Sequence, residues 1–375
     1  MVVTTARRER VRRDIARLAH RGLGVPEFSR AATRVLVSAV PFDGTCLLTI
    51  DPATLLPTRE IAENALPAAA RVRLTEIELR EPDFNKFAAL TKARRPAASL
   101  SEATAGDLDR SLRQRELRRP SGFDDELRAV LSDATGTWGA LALLREADRP
   151  RFTSAEVRFV ASLGGLLADG LRRAMLLRDA AAYGEGEDTG VLLLAADDSV
   201  ELTNEGADRW LDELGAGAQP GGRLPIVVYA VAARARRAGG GDRGRGDEAG
   251  PDQGTARARL RTATGRWVVV RGALLDGGRG SRVAVLLEEA RPPELAPMIA
   301  AAYGLTEREC MLTQLVAQGF STSEIADRLH LAVYTVQDHL KSIFEKSGTG
   351  SRGELVARLF FDHYAPRLTT VRDAS

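Results

Sequence analysis

The side chains best placed to do chemistry in this 375-residue chain lie within one short stretch, Val333–Ser347. Tyr334, Gln337, Asp338, Lys341 and Glu345 recur there three and four residues apart, a spacing that stacks them along one side of a helix. A phenol, an amide, a carboxylate and an ammonium in such a row offer hydrogen bonds, not a nucleophile held beside a base. Gln337 can pair with the N6 and N7 edge of adenine, Asp338 can accept from cytosine N4, and Lys341 can reach a guanine or a phosphate. That chemistry is recognition. The same row on a small helical bundle would equally serve as a solvated face.

Groupings suited to catalysis or metal binding are missing from the rest of the sequence. There is no G-x-S-x-G, no P-loop and no His/Cys set with zinc spacing. His20 is the only histidine before residue 330, which leaves a haem without its ligand. Cys46 and Cys310 lie far apart in apolar runs and are expected to be buried small hydrophobes. Gly239, Gly241 and Gly244 spell G-x-G-x-x-G, but a helical pattern precedes them and a polar tract follows. A dinucleotide fingerprint needs a strand before and a helix after, so the match is chance. No catalytic residue, metal or cofactor is expected.

The elements that must position the row carry explicit start and stop signals. Thr306-x-x-Glu309, Ser321-x-x-Glu324 and Ser351-x-x-Glu354 are three capping boxes, each a hydroxyl and a carboxylate satisfying orphan N–H groups reciprocally. Gly319 and Gly348 sit where a helix ends in a left-handed residue. The predicted helices are then Glu307–Gln318, Thr322–Leu329, Val333–Ser347 and Arg352–His363. On the third, Val333, Val336, Leu340, Ile343 and Phe344 should pack on the first two. The tight turn His330-Leu331-Ala332 joins the second helix to the third, an arrangement that fits the major groove of DNA.

Without a gap, LTEREC, LTQLVAQG, STSEIADRL, TVQDHLKSIFEK and SRGELVARL resemble the LuxR-type helix-turn-helix domain. The resemblance implies an all-α four-helix domain over residues 297–365 that binds double-stranded DNA. It also implies base or nearby phosphate contacts from Thr322, Tyr334, Thr335, Gln337, Asp338 and Lys341, with Lys346 and Arg352 on phosphates. Leu355, Val356 and Leu359 of the fourth helix would form a homodimer, and RNA polymerase is a candidate partner. Two positions depart from the family pattern. Ala332 stands where Ser or Thr is usual, removing a side-chain N-cap worth about 1 kcal/mol. Gln337 and Asp338 replace a common Lys and an apolar residue, which moves the expected base preference.

Upstream, Ala6–Arg21 reads as a basic helix whose narrow stripe of Val11, Ile15 and Leu18 suits a dimer interface. From Ser29 the pattern runs helix (to Ala39), strands Gly44–Ile50 and Arg59–Asn64, then helical stretches at Ala69–Leu79, Pro82–Thr91 and Asp107–Arg118. A hairpin of Glu126–Asp133 and Trp138–Arg145 follows, then a long helix started by Thr153-x-x-Glu156. The helix stripe of Val157, Val160, Leu163, Leu167, Leu171 and Ala174 is of a kind that pairs with a symmetry mate. This order, with FTSAEVRFVASLGGLLADGLRRA as closing helix, resembles an α+β GAF domain over residues 1–182 with flanking helices. Asn85-Lys86-Phe87 shares letters with the cyclic-nucleotide GAF motif, at the wrong spacing and without its acidic end.

VLLLAADDSVELTNEGADRWL, followed by a three-strand meander, resembles an α+β PAS domain over residues 190–290. Within it, GGGDRGRGDEAGPDQGT at 239–255 has nothing to bury and reads as a disordered loop. Gly184–Gly190 and Arg291-Pro292-Pro293 read as linkers.

Charge gives no independent support for nucleic acid. Lys+Arg 53 against Asp+Glu 51 leaves +2, and from Pro297 to Ser375 eight basic residues face nine acidic ones. Binding would rest on a few placed contacts instead of a basic surface. No apolar run reaches the 18 residues of a membrane span, and a charged N-terminus stands where a signal peptide needs an apolar region. A cytoplasmic, multi-domain, non-enzymatic transcription regulator is the reading these features support, with an unknown small-molecule ligand in the GAF-like or PAS-like domain. The competing reading is a sensor or adaptor that acts through protein contacts and uses the helical unit to dimerise.

Overall fold

The computed structural model describes residues 5–67, 70–176, 189–215, 224–239, 255–275, 281–291, 294–295, 298 and 303–357. They divide into two compact units, one holding two β-sheets and the other centred on Ala290–Ser375. The first part of the larger unit contains α1 (Thr5–Ala19), α2 (Val25–Leu36), β1 (Gly44–Ile50), β2 (Pro57–Glu63), α3 (Ala70–Arg80) and α4 (Phe87–Lys92). Next come β3 (Ala97–Ser99), α5 (Leu100–Ala103), a π-helical turn at Gln114–Arg118, the hairpin β4 (Phe123–Asp133) and β5 (Gly136–Glu146), and α6 (Ser154–Leu176). The strands form one sheet in the order β2-β1-β5-β4-β3.

One face of this sheet carries α6, whose expected stripe from Val157 to Ala174 is buried throughout. Thr153 and Glu156 start it as a reciprocal box: Glu156 N–H reaches Thr153 Oγ1 at 3.3 Å, and Thr153 N–H reaches Glu156 Oε2 at 2.8 Å. Helix α1 lies against α6. Val11, Ile15 and Leu18 are buried there, and Arg12 donates to Ser162 Oγ at 2.8 Å. Both stripes expected at a dimer interface are therefore consumed inside the chain, because a single sheet face is wide enough for α6 to need α1 and α2 as flanks. Phe28 of α2 packs on the bare backbone of Gly170, where an added Cβ would lie 2.1 Å from the ring.

The opposite face is unusually polar. Glu126 on β4 lies between Arg113 (2.8 Å) and Arg118 (2.7 Å), and Arg113 also pairs with Asp83 at 3.0 Å. Burial pushes the Glu126 carboxyl up, but the guanidinium groups of Arg113, Arg118 and Arg128 outweigh it and hold it far below the usual carboxylate range. Arg128 stacks 3.7 Å from the Phe87 ring centroid and donates to Glu78 at 2.8 Å and to Asn85 O at 3.1 Å. The Asn85-Lys86-Phe87 run thus has a structural use: Asn85 donates to Ser99 O at 3.0 Å and Lys86 to Glu81 O at 2.8 Å. Cys46 is buried nearby, where burial drives its thiol pKa far above normal.

Three expectations need correction in this part. Ala97–Ser99 is a strand that the sequence did not advertise, recruited by pairing Ala97 with Ala129 and Ser99 with Leu127. The helix expected over 82–91 begins only at Phe87 and runs to Lys92, and 107–118 folds as a 3-10 turn and a π-helical turn. The cause is Asp83, which accepts from Phe84 N–H at 2.8 Å and Arg113 N–H at 3.0 Å and so ties two irregular segments together.

The second part comprises β6 (Gly190–Leu194), β7 (Val200–Thr203), α7 (Glu205–Glu213), α8 (Ile226–Gly239), β8 (Arg257–Arg261), β9 (Trp267–Leu275) and β10 (Arg282–Glu289). Its sheet order is β7-β6-β10-β9-β8. Asn204 caps α7 as its side chain predicts, accepting from Ala207 N–H at 2.9 Å. Helix α8 is the helical stretch that precedes the glycine tract, and it begins as early as Ile226, because Val227 and Val228, strand-like by type, are buried with Val231 and Ala235 on the sheet. The 239–255 tract and the 184–190 linker fall almost wholly outside the described residues.

These two parts share a core. Leu56, from the β1–β2 connection, is fully buried in the cluster beneath the second sheet, and Leu79 of α3 packs on the same cluster. Among the described residues no helix is long and apolar enough to cross a membrane.

Candidate nucleic-acid interface

The second unit builds its helices where the capping residues place them: α9 (Glu307–Ala317), α10 (Thr322–Leu329), α11 (Val333–Ser347) and a fourth helix entered at 352–357. Thr306/Glu309 and Ser321/Glu324 are complete capping boxes. The third box is only half formed. Ser351 Oγ accepts from Glu354 N–H at 3.1 Å, but the Glu354 carboxylate reaches one residue further back, to Gly350 N–H at 2.7 Å. Gly319 (φ 88°) and Gly348 (φ 65°) take the left-handed conformation expected of them. His330 does so as well at φ 52°, and the Leu331 N–H closes on Ala326 O at 2.9 Å.

Leu305, Leu312, Val316, Ile325, Ala326, Val336, Leu340, Ile343 and Leu355 form the core, with Phe344 and Val356 packed on its edge. Val333 does not join it. At 45% exposure it stands in solvent, because it opens the helix and has no preceding turn to pack beside. That position in the first turn was the signal that should have removed it from the core stripe.

Glu309 locks α11 onto α9. Its carboxylate accepts from Lys346 Nζ (2.6 Å), Ser342 Oγ (2.7 Å) and Thr306 N–H (2.7 Å). Burial pushes this carboxyl up, yet the ammonium, the hydroxyls and the backbone donor outweigh it and hold its pKa at about 2. Arg352 ties the fourth helix to α10, donating to Phe320 O at 2.7 Å and Thr322 Oγ1 at 2.8 Å. Arg328 covers the Phe320 ring at 3.9 Å.

The expected contact residues separate into two groups. Tyr334 (70% exposed), Gln337, Asp338 and Lys341 are exposed on one side of α11, with Thr335 half-buried beside them. Their side chains make no hydrogen bond or ion pair among the described residues. Thr322, Lys346 and Arg352 are engaged within the domain instead, in the bonds just given. Leu355 is fully buried and Val356 half-buried in the domain's own core, and Leu359 lies outside the described residues. Sequence spacing alone does not reveal Ser342 as part of the lock, since its partner is 33 residues away.

Residues 304–359 match the family described as "Bacterial regulatory proteins, luxR family". The Transcriptional regulatory protein ComA of Bacillus subtilis is 50% identical over 52 residues, which are 14% of this chain and 24% of that protein. The Tetrathionate response regulatory protein TtrR of Salmonella typhimurium is 41% identical over 68 residues, 18% of this chain and 32% of that protein. The chain thus spans a third or less of these relatives. Among solved structures, Escherichia coli SdiA aligns with 94% of this chain and 95% of its own at 13% identity, with a TM-score of 0.33. An overlap that loose carries no argument about the upstream sheets.

Proposed function

We propose that this chain is a transcription regulator whose 304–359 domain binds double-stranded DNA, with α11 in the major groove. The observation that carries the reading is the free row Tyr334, Gln337, Asp338 and Lys341 on a helix whose other side is locked by Glu309 and by the core. A recognition helix must be rigid on one side and unspent on the other. Gln337 and Asp338 are the base readers, with Tyr334, Thr335 and Lys341 on bases or adjoining phosphates. Thr322, Lys346 and Arg352 can meet phosphate only beside their internal bonds, so their first role is to hold the helices in register.

A homodimer on a pseudo-palindromic site belongs to the same proposal, with a dimer surface other than buried Leu355. Contact with RNA polymerase would follow from it. The two upstream sheets, read as GAF-like and PAS-like, form the controlling part: a ligand or partner that favours one arrangement shifts the population of DNA-binding dimers. Their shared core supports joint movement in place of independent sensing.

A gel-shift of full-length protein with fragments of its own genome tests the reading. Discrete complexes that resist non-specific competitor DNA are expected. Uniform weak binding that vanishes with competitor would sink it and favour an adaptor that works by protein contacts.

A further inference from the structure

Ala332, Val333 and Tyr334 are three consecutive apolar or aromatic residues, all exposed, at the head of α11. Val333 is 45% and Tyr334 70% exposed. Runs of this kind on a surface cost solubility and are retained where they bind something. The helix does not need them for folding, since Val336, Leu340 and Ile343 already fill its core side. A helix places Val333, Gln337 and Lys341 on one ridge at four-residue steps, and Tyr334 and Asp338 on the next.

We propose that Val333 and Tyr334 read thymine through its 5-methyl group, which makes the outer end of the preferred site T-dependent. The inference rests on the proposed placement of α11 in the major groove. Thymine is the one base that presents an apolar group in that groove, and apolar side chains are its natural contacts. A protein partner is a poor alternative, because a stable interface needs on the order of 1,000 Å². Beyond these side chains the same side of the helix turns polar and charged with Gln337, Asp338, Lys341 and Glu345. Phosphate is a poor alternative for Val333, which has no donor; the Tyr334 hydroxyl is the one group that could serve it.

Deoxyuridine isolates the claim, since it differs from thymidine only by the methyl group. The preferred duplex is first obtained by binding selection with full-length protein, and each thymine is then replaced singly by deoxyuridine. The wild type should bind about three- to fivefold more weakly at one or two positions, the loss expected for one buried methyl. Val333→Ala should bind thymine and deoxyuridine duplexes alike at the affected position. Tyr334→Phe should keep the discrimination, because the ring and not the hydroxyl makes the contact. Both side chains are exposed, so circular dichroism of the variants should match the wild type. Discrimination below about 1.5-fold at every thymine, or full discrimination retained by Val333→Ala, overturns the proposal while a Gln337-dependent preferred site leaves the groove placement standing. Failure to select any preferred duplex overturns both.

Discussion

Asp51, at the end of the first sheet's β1, accepts three hydrogen bonds from Arg259 in β8 of the second sheet. The backbone N–H and Nη2 lie at 2.8 Å and Nε at 2.9 Å, with the two side chains 0% and 3% exposed. Because β8 is an edge strand, its outward groups would otherwise be open; Arg59 takes the next one, Arg261 O, at 3.2 Å. The first sheet thus seals the edge of the second.

Asp51→Ala should therefore be severe. It strands a buried guanidinium and a strand N–H together, a loss of about 3–5 kcal/mol. Urea unfolding of the full chain should show the transition of the two-sheet unit shifted by that amount. A double replacement by Leu at 51 and Met at 259 should recover the guanidinium's share of it, since apolar pairs substitute well for buried ions, while the backbone N–H at 259 stays without its acceptor. A change under about 1 kcal/mol for Asp51→Ala would mean that the sheets do not depend on this seam.

Glu309 gives the 304–359 domain an acid-sensitive lock. Its folded pKa, about 2, lies below the ordinary value of 4.5, so its contribution is complete above pH 4.5 and is lost as pH falls through 2. Melting between pH 5 and 2 should show a steeper fall for wild type than for Glu309→Gln. Parallel curves would mean that the carboxylate charge is not what Lys346 holds.

Two local positions leave stability unclaimed. Ala332 has N-cap backbone angles (φ −72°, ψ 147°) but makes no side-chain cap bond, and His330 is held in a left-handed conformation. Ala332→Ser should add about 1 kcal/mol and His330→Gly a similar amount. Thermal melts of each variant decide, and a lowered Tm for both would show that Ala332 and His330 already stabilise the turn more than the replacements can.

On α11, positioning and reading should come apart. Gln337→Ala should cost about 1–3 kcal/mol on the best site and relax preference at one base pair. If Lys341 makes a phosphate contact, Lys341→Ala should weaken all sequences alike and reduce the salt slope by about 1. Selections with each variant measure both quantities. Uniform weakening by Gln337→Ala, with the preferred site unchanged, would show that α11 is rotated relative to this reading.

Arg352→Ala should behave as a stability variant. Losing its bonds to Phe320 O and Thr322 Oγ1 leaves acceptors without their donor, about 1–3 kcal/mol. A large change in salt slope with an unaltered melt would instead restore Arg352 as a phosphate contact.

Whatever depends on neighbours within about four residues can be read from the order of residues alone. Thr306, Ser321 and Thr153 each reach a glutamate three positions on, so those helix starts were legible, as were the Gly319 and Gly348 stops and the free row on α11. The Asn204 cap and strand Gly44–Ile50 follow from equally local patterns. Tertiary structure decided the rest, because it depends on partners far along the chain. Lys346 and Arg352 look like free cations until Glu309 and Phe320 are brought beside them. Ala97–Ser99 becomes a strand only because β4 offers an edge. The stripes of α1 and α6 look like interfaces until they meet each other, and Leu355 until it enters the core. Asp51 and Arg259, 208 residues apart, carry no local pattern at all; burial alone turns them into the seam between the two sheets.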